Sequence, residues 1–112
     1  STAVEFSKKW DVITVLKGSR TLVVSPKGEI YINLTGNSGM STAGSGDVLS
    51  GIISGLIGQG MNPYEASVAG VYIHGAAGDI AAEEKGEHGM IAGDITEMIP
   101  DVINDILQNK KI

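Results

Sequence analysis

The clearest hydrophobic pattern begins at Val48, where apolar side chains recur every three or four residues. This spacing places them on one face of a predicted helix, which comprises Val48, Leu49, Ile52, Ile53, Leu56 and Ile57. A glycine-rich run at residues 35–51 leads into this helix and includes its first turn, with Ser45, Gly46 and Asp47. The rest of the chain is predicted to be arranged around this loop and helix.

Three short runs rich in β-branched and apolar residues precede the loop and predict strands. The run at residues 12–16 lacks clean alternation, which favours a strand buried on both faces in a parallel sheet. The runs at residues 22–25 and 29–33 are joined by Pro26, Lys27 and Gly28. We expect these two to pair as an antiparallel hairpin at the edge of the sheet.

The remaining patterns predict three more helices. Residues 1–10 resemble the end of a helix, and residues 64–84 form a helix with Pro63 at its first position. This second helix is rich in alanine and glycine, so we expect close packing against Gly51 and Gly55 of the preceding helix. The last helix, at residues 95–107, contains Pro100, which predicts a kink or a break.

The glycine-rich loop has the features of a phosphate-binding loop. Glycine lets backbone amides approach a ligand, and a helix N-terminus offers unpaired N–H groups with partial positive charge. Both features meet at residues 44–47, Gly-Ser-Gly-Asp. A simpler alternative is a helix N-terminus capped by Ser45 or Asp47, with no ligand. The loop matches neither the Walker pattern nor the dinucleotide-binding pattern.

Other polar residues have both a binding and a structural interpretation. Lys17 and Arg20 follow a predicted strand, where they could reach a phosphate or an adenine, or lie in a solvated hairpin loop. His74 is interpreted as a packed or hydrogen-bonded helix residue, and His88 as a solvated loop residue. Asp79 is interpreted as an acid of the helix surface or of a packing contact, with catalysis as the alternative. Neither histidine has a partner at metal-ligand spacing, so no zinc site is predicted.

Composition narrows the classes of function. The chain has 112 residues, of which 42% are hydrophobic and 19% charged, as in a small soluble domain. Its net charge of −5 argues against binding nucleic acid. The absence of cysteine excludes disulfides and a cysteine nucleophile. With no leader and no membrane-spanning run, we expect a cytoplasmic protein that does not act on membranes.

The motifs around the loop are similar to those of a known family. The sequence GNSGMSTAGSGDVLSG at residues 36–51 resembles the signature of the NAD(P)H-hydrate dehydratases, which are ribokinase-like repair enzymes. The segments LKGSRTLV at residues 16–23, HGAAGDIAA at residues 74–82 and IAGDI at residues 91–95 resemble the same family. The resemblance covers nearly the whole chain, and NSGM at residues 37–40 points to the dehydratases within the superfamily.

The resemblance implies a fold and a reaction. The fold is an α/β/α sandwich with a mostly parallel sheet and an edge hairpin. In the reaction, ADP or ATP drives the dehydration of hydrated NADH or NADPH to the normal cofactor, and the phosphoryl group activates the substrate hydroxyl as a leaving group. Mg²⁺ is implied as the counter-ion of the phosphates, although the sequence shows no obvious ligand set for it.

The resemblance also implies roles for individual residues. Asp47 would contact the hydrated nicotinamide and orient or deprotonate its hydroxyl, as the catalytic residue. The residues implied to bind the adenine nucleotide are Lys17, Gly18, Ser19, Arg20, Thr21, Asn37, Gly44, Ser45 and Gly46.

Members of this family are longer than the chain. We therefore expect residues 1–112 to be the C-terminal part of a single nucleotide-binding domain, without activity of its own. An incomplete sheet favours self-association, which predicts a homo-oligomer. Two other functions stay open: a kinase of the same superfamily acting on a sugar or a hydroxymethylpyrimidine, and a non-catalytic nucleotide-sensing or assembly module.

Overall fold

The computed structural model describes residues 2–18, 20–41 and 44–110. The described part contains four helices and three strands, with a 3₁₀ turn before the second helix. In chain order they are α1 (Thr2–Trp10), β1 (Thr14–Leu16), β2 (Thr21–Val24), β3 (Ile30–Asn33), the 3₁₀ turn (Ser38–Met40), α2 (Ser45–Gly58), α3 (Pro63–Lys85) and α4 (Ala92–Lys110). These elements confirm the predicted order of helices and strands.

The three described strands form an antiparallel sheet in the order β1-β2-β3. The predicted β2–β3 hairpin is confirmed, with Leu22 opposite Ile32. The prediction of a doubly buried, parallel strand at residues 12–16 is wrong, because β1 pairs antiparallel with β2 and Leu16 is 46% exposed. The connection after β1 is too short for the crossover that a parallel pair requires, so the two strands fold back on each other.

The long helix α3 is the centre of the packing. Toward α4 it buries an aliphatic cluster that includes Ile73, Ala77 and Ile95, and toward the sheet and α2 it buries Val71. The predicted close approach of α2 is confirmed at Gly70, where an added Cβ would overlap the side chain of Ile53.

Two details of the predicted helices differ from the structure. Gly51 and Gly55 of α2 have open space beside them, so they do not form the small surface that was expected to meet α3. Helix α4 continues through Pro100, so the break predicted as one of two outcomes is wrong, while the kink stays a prediction. Burial of Ile95 and Val102 against α3 on both sides of the proline stabilises the helix against the hydrogen bond that proline removes.

Candidate nucleotide-binding site

The segment that follows β3 is attached directly to the backbone of α3. Asn33 is buried, and its Nδ2 donates hydrogen bonds to the carbonyl of Val71 at 3.1 Å and to Thr35 Oγ1 at 2.9 Å. Thr35 Oγ1 in turn donates to the carbonyl of Tyr72 at 3.2 Å. Gly75 permits this approach, because a Cβ there would lie 2.8 Å from the carbonyl carbon of Thr35. The loop therefore starts in contact with the middle of α3.

Asn37 and Asp79 fix the next residues of the loop. The amide of Gly36 donates to Asp79 Oδ2 at 3.0 Å, and Asn37 Nδ2 donates to Asp79 Oδ1 at 2.9 Å. Asn37 Nδ2 also donates to the carbonyl of Gly78 at 3.1 Å, and Asn37 Oδ1 accepts from the amide of Gly39 at 3.0 Å, which caps the 3₁₀ turn. The amide group of Asn37 thus holds the loop, and Asp79 is a packing acid, as the structural interpretation of it predicted.

Helix α2 begins with a glycine rather than with a capping side chain. Its N-cap is Gly44, which has a φ of 87° and no side chain to cap the amides of the first turn. The alternative that Ser45 or Asp47 is the N-cap is therefore wrong. Ser45 instead places its Oγ 3.2 Å from Nε2 of His74. The first turn of α2 keeps the backbone geometry that suits an anion.

Lys17 brings a positive charge to this helix end. A Cβ at Gly46 would lie 3.6 Å from Lys17 Nζ, so the ammonium group stands beside the first turn of α2. The two residues are far apart in sequence and meet because β1 ends near the start of α2. An ammonium group and a helix N-terminus both favour a bound anion, which supports the binding interpretation of Lys17.

His74 is buried at the base of this region, with 6% of its surface exposed. Burial lowers the pKa of its imidazole and the charge of Lys17 lowers it further, against the opposing effect of a hydrogen bond with the backbone of Ser45. The ring is therefore neutral near pH 7. The interpretation of His74 as a packed, hydrogen-bonded residue is confirmed.

A cavity of about 560 Å³ lies between the end of β1, the glycine-rich loop and α3. Five of the predicted nucleotide-binding residues line it: Lys17, Gly18, Thr21, Asn37 and Ser45. Sequence reasoning missed other lining residues, among them Asn33, Thr35, Leu49, Val71 and His74. Nothing in the sequence marks these residues as cavity-lining, because the cavity is formed by segments that are distant in sequence.

The other predicted site residues do not line this cavity in the described part of the chain. Arg20, Gly44, Gly46 and Asp47 are exposed and are not among the described residues that line it. Asp47 lies in the first turn of α2, one residue after Gly46, with its side chain accessible to solvent. Ser19 lies outside the described residues. The structure thus groups Lys17 with the start of α2 and leaves Arg20 in a solvated turn.

The described residues show neither of two other kinds of site. No cluster of three or more histidine, cysteine, aspartate or glutamate side chains is arranged to hold a metal ion in the described part of the chain. Among the described helices, none has the length and apolar character needed to cross a membrane.

The arrangement of sheet, loop and helices is that of the ribokinase-like fold. The structure of a ribokinase-like superfamily protein from Enterococcus faecalis superposes with a TM-score of 0.77 at 33% identity, covering 91% of this chain and 35% of that protein. Residues 1–101 also match the family model described as NAD(P)H-hydrate dehydratase. The chain therefore belongs to the NAD(P)H-hydrate dehydratase family.

Individual relatives agree with this assignment. The bifunctional NAD(P)H-hydrate repair enzyme of Moorella thermoacetica is 50% identical over 104 residues, which cover 93% of this chain but 20% of that enzyme. The ADP-dependent (S)-NAD(P)H-hydrate dehydratase of Neisseria meningitidis is 55% identical over 82 residues, 72% of this chain and 28% of that enzyme. The Bacillus subtilis dehydratase co-crystallized with ATP and Mg²⁺ superposes with a TM-score of 0.87 at 31% identity, covering 93% of this chain and 38% of that protein. The chain spans well under half the length of each.

The buried imidazole predicts a specific pH dependence of stability. The pKa of His74 is lower in the folded protein than the ordinary value of 6.5, so the unfolded chain binds more protons as the pH falls below 6.5. The free energy of unfolding should therefore decrease as the pH is lowered below about 6.5. Above that pH, His74 is neutral in both states and does not make the unfolding free energy depend on pH. His74→Gln removes this contribution, so the stability advantage of the wild type over the variant should shrink between pH 7.5 and pH 5 in urea titrations of the full-length protein.

The exposed His88 provides the matched control for this titration. His88→Gln makes the same change of residue type at this exposed position. Parallel pH profiles for the wild type and His74→Gln would contradict the assignment of this pH dependence to His74.

Proposed function

We propose that the protein containing this chain is an ADP- or ATP-dependent NAD(P)H-hydrate dehydratase, which converts hydrated NADH or NADPH to the normal cofactor. One observation carries the proposal: the ammonium group of Lys17 lies beside the first turn of α2. Lys17 lines a cavity together with Gly18, Thr21 and Ser45. The names of the relatives support the choice of substrate. Because the chain spans only part of those relatives, the activity is proposed for the full-length protein.

The described residues supply the phosphate-binding half of this reaction. Lys17 and the amides of Ser45 and Gly46 would bind the phosphates, since the ammonium group and the helix N-terminus act on the same negative charge. Gly18 and Thr21 line the cavity beside Lys17 and would contact the nucleoside part. Arg20 and Ser19, from the same turn, belong to the proposed nucleotide contacts by family resemblance.

Asp47 is proposed to act on the substrate hydroxyl. Its carboxylate is exposed one residue after Gly46, so a substrate hydroxyl that reaches the terminal phosphate would also reach Asp47. As the hydroxyl oxygen attacks phosphorus, Asp47 takes its proton, and the nucleotide leaves one phosphate shorter. The phosphate then departs from the ring carbon with the bonding electrons, and loss of a proton from the neighbouring carbon restores the ring double bond.

Mg²⁺ is proposed to enter with the nucleotide. This ion is usually held by substrate phosphates, water and one or two carboxylates rather than by a complete protein cage. The described residues are consistent with that arrangement, since they contain no cluster of three or more ligating side chains, while Asp47 offers one carboxylate near the phosphate site. When bound, Mg²⁺ would neutralise phosphoryl charge.

We propose that residues 1–112 are the C-terminal part of a single ribokinase-like domain. The side chains of Ile30, Ile32 and Leu34 on and after β3 are 52%, 53% and 72% exposed, which leaves an apolar surface at the edge of the described sheet. The remaining part of the domain would cover this surface, because exposed apolar sheet edges favour association. Where that part is missing, the exposed surface would make residues 1–112 a homo-oligomer, which light scattering on this segment tests. A cytoplasmic location of the protein also belongs to this proposal.

The decisive experiment is an activity panel on the full-length protein. Hydrated NADH should be converted to NADH, read at its absorbance, with consumption of ADP or ATP. The main alternative, a ribokinase-like kinase, would instead phosphorylate a sugar or a hydroxymethylpyrimidine and leave hydrated NADH unchanged. Nucleotide binding without turnover of any of these substrates would favour the sensing module.

Gly46→Val tests the phosphate site directly. The valine side chain would occupy the space between the first-turn amides and Lys17 Nζ, which lies 3.6 Å from the added Cβ. We expect loss of measurable ADP binding by calorimetry in the full-length protein. Gly55→Val is the matched control, since it places the same side chain on an open face of α2 and should retain ADP affinity. Undiminished affinity in Gly46→Val would refute this phosphate site.

A further inference from the structure

Both ends of the glycine-rich loop are attached to one helix. The loop connects β3 to α2, and the structure describes residues 34–41 and 44 of it. Near its start it is bonded to Asp79 of α3, and just after its end Ser45 is bonded to His74 of α3. His74 and Asp79 lie on the same helix little more than one turn apart. The proposed reaction uses neither of them.

Asp79 is hydrogen-bonded to the loop through both of its carboxylate oxygens. Oδ2 accepts from the amide of Gly36 and Oδ1 accepts from Asn37 Nδ2, at 3.0 and 2.9 Å. Bonds to an ionised acceptor are stronger than those between neutral groups. Asn37 in turn restrains the 3₁₀ turn, because its Oδ1 accepts a hydrogen bond from the amide of Gly39. The carboxylate of Asp79 therefore sets the path of the chain from Gly36 to the turn.

His74 is hydrogen-bonded at the other end of the loop, where α2 begins. Its ring is hydrogen-bonded to Ser45 Oγ, and both side chains are buried, with 6% and 2% of their surfaces exposed. Ser45 is the first residue of α2, so its position fixes where the amide of Gly46 points. Burial and the charge of Lys17 keep the pKa of His74 low, so the ring does not add a second positive charge beside Lys17 at neutral pH.

We propose that His74 and Asp79 are positioning residues, which hold the two ends of the glycine-rich loop to α3 and so preorganise the amides that bind the nucleotide phosphates. The proposal rests on the nucleotide-binding function proposed above. Amides stabilise a phosphate most when they are already aimed at it, because a flexible loop has to be ordered at the expense of binding. The contacts of His74 and Asp79 provide this order before the ligand arrives.

Amide hydrogen exchange without nucleotide tests the restraint itself. In the full-length protein, Asp79→Asn should speed exchange at Gly36 and Gly39 about tenfold, since the new amide group cannot accept both bonds. His74→Leu should speed exchange by a similar factor at Val48, whose amide donates to the carbonyl of Gly44 at the start of α2. Each variant should change its own end of the loop and leave Leu49, in the interior of α2, unchanged. Asp101→Asn, which alters an exposed group of α4, is the control.

ADP affinity tests the consequence of the restraint. His74→Leu and Asp79→Asn should each weaken ADP binding about tenfold in calorimetry, the usual scale for loss of one hydrogen bond to a buried or charged group. His74→Gln, which can still bond Ser45 Oγ, should recover the affinity to within about threefold and also guards against a leucine variant that fails to fold. In turnover, the KM for the nucleotide should rise more than kcat falls, a split that simple loss of stability would not produce.

The two measurements separate failure of this proposal from failure of the proposed function. A wild-type protein that binds no ADP refutes the proposed function, whereas the exchange experiment still decides whether His74 and Asp79 restrain the loop. Unchanged exchange at Gly36, Gly39 and Val48 in the variants would overturn the proposal. Unchanged ADP affinity in both variants of a protein that does bind ADP would overturn it as well.

Discussion

Replacing Asp47 by asparagine is expected to lower kcat by two to four orders of magnitude in the full-length protein, the usual contribution of a positioned acid or base. Asparagine keeps the size of the side chain but loses its charge and its ability to take a proton. Because Asp47 lies one residue after Gly46, in the first turn of α2, nucleotide affinity should hold or increase when its negative charge is removed. The measurement is kcat for dehydration of hydrated NADH together with ADP affinity by calorimetry.

A purely electrostatic role of Asp47 in the helix predicts a different result. An acid in the first turn of a helix contributes about 0.3–1 kcal/mol of stability through the helix dipole. If that were its whole role, Asp47→Asn would lower Tm slightly and leave kcat near normal, which would contradict its assignment as the catalytic residue. Asp101→Asn, at an exposed position within α4, is the control for removing one negative charge.

Replacing Gly75 by alanine is expected to destabilise the protein by about 1–3 kcal/mol, the usual cost of overpacking a well-packed contact. The added Cβ would overlap the side chain of Thr35 and lie 2.8 Å from its carbonyl carbon. Backbone cannot move aside as the end of a flexible side chain can, so the start of the glycine-rich loop would have to leave α3. Urea denaturation of the full-length protein measures the loss.

Gly51→Ala is the matched control for the substitution at Gly75. Gly51 lies in α2 with open space where its Cβ would be, so alanine there should stabilise the helix by about 0.5–1 kcal/mol. Opposite signs for the two glycine-to-alanine changes would separate steric contact from helix propensity. Equal stabilisation by both would show that the loop does not rest on Gly75.

Local sequence patterns predicted the elements well, because helix and strand periods are written within each segment. Pro63 and Asn62 mark the start of α3 as expected, with Asn62 Oδ1 accepting from the amide of Glu65 at 2.8 Å. The pairing of β1 was not predicted, since a short apolar run has the same appearance in a parallel and an antiparallel sheet. Its direction depends on the short connection from Leu16 to Thr21 rather than on its side chains.

The candidate site could be predicted only in part. Lys17 and Gly46 were identified by motif, and the structure brings them together. The roles of His74 and Asp79 depend on partners that lie 29 and 42 or 43 residues away, so no local pattern contains them. The sequence also does not show which glycines are required for packing. Gly75 is required by its contact with Thr35, whereas a Cβ at Gly51 would lie in open space.

The attachment of the loop to the carbonyls of Val71 and Tyr72 makes this region sensitive to insertion rather than to substitution. Tyr72 is 41% exposed and offers only its backbone to Thr35, so many side chains would serve at that position. One residue inserted into α3 before it would instead rotate those carbonyls by about 100° around the helix axis. Over evolutionary time, the length of α3 between its N-terminus and Asp79 should therefore be held constant even where its exposed residues vary freely.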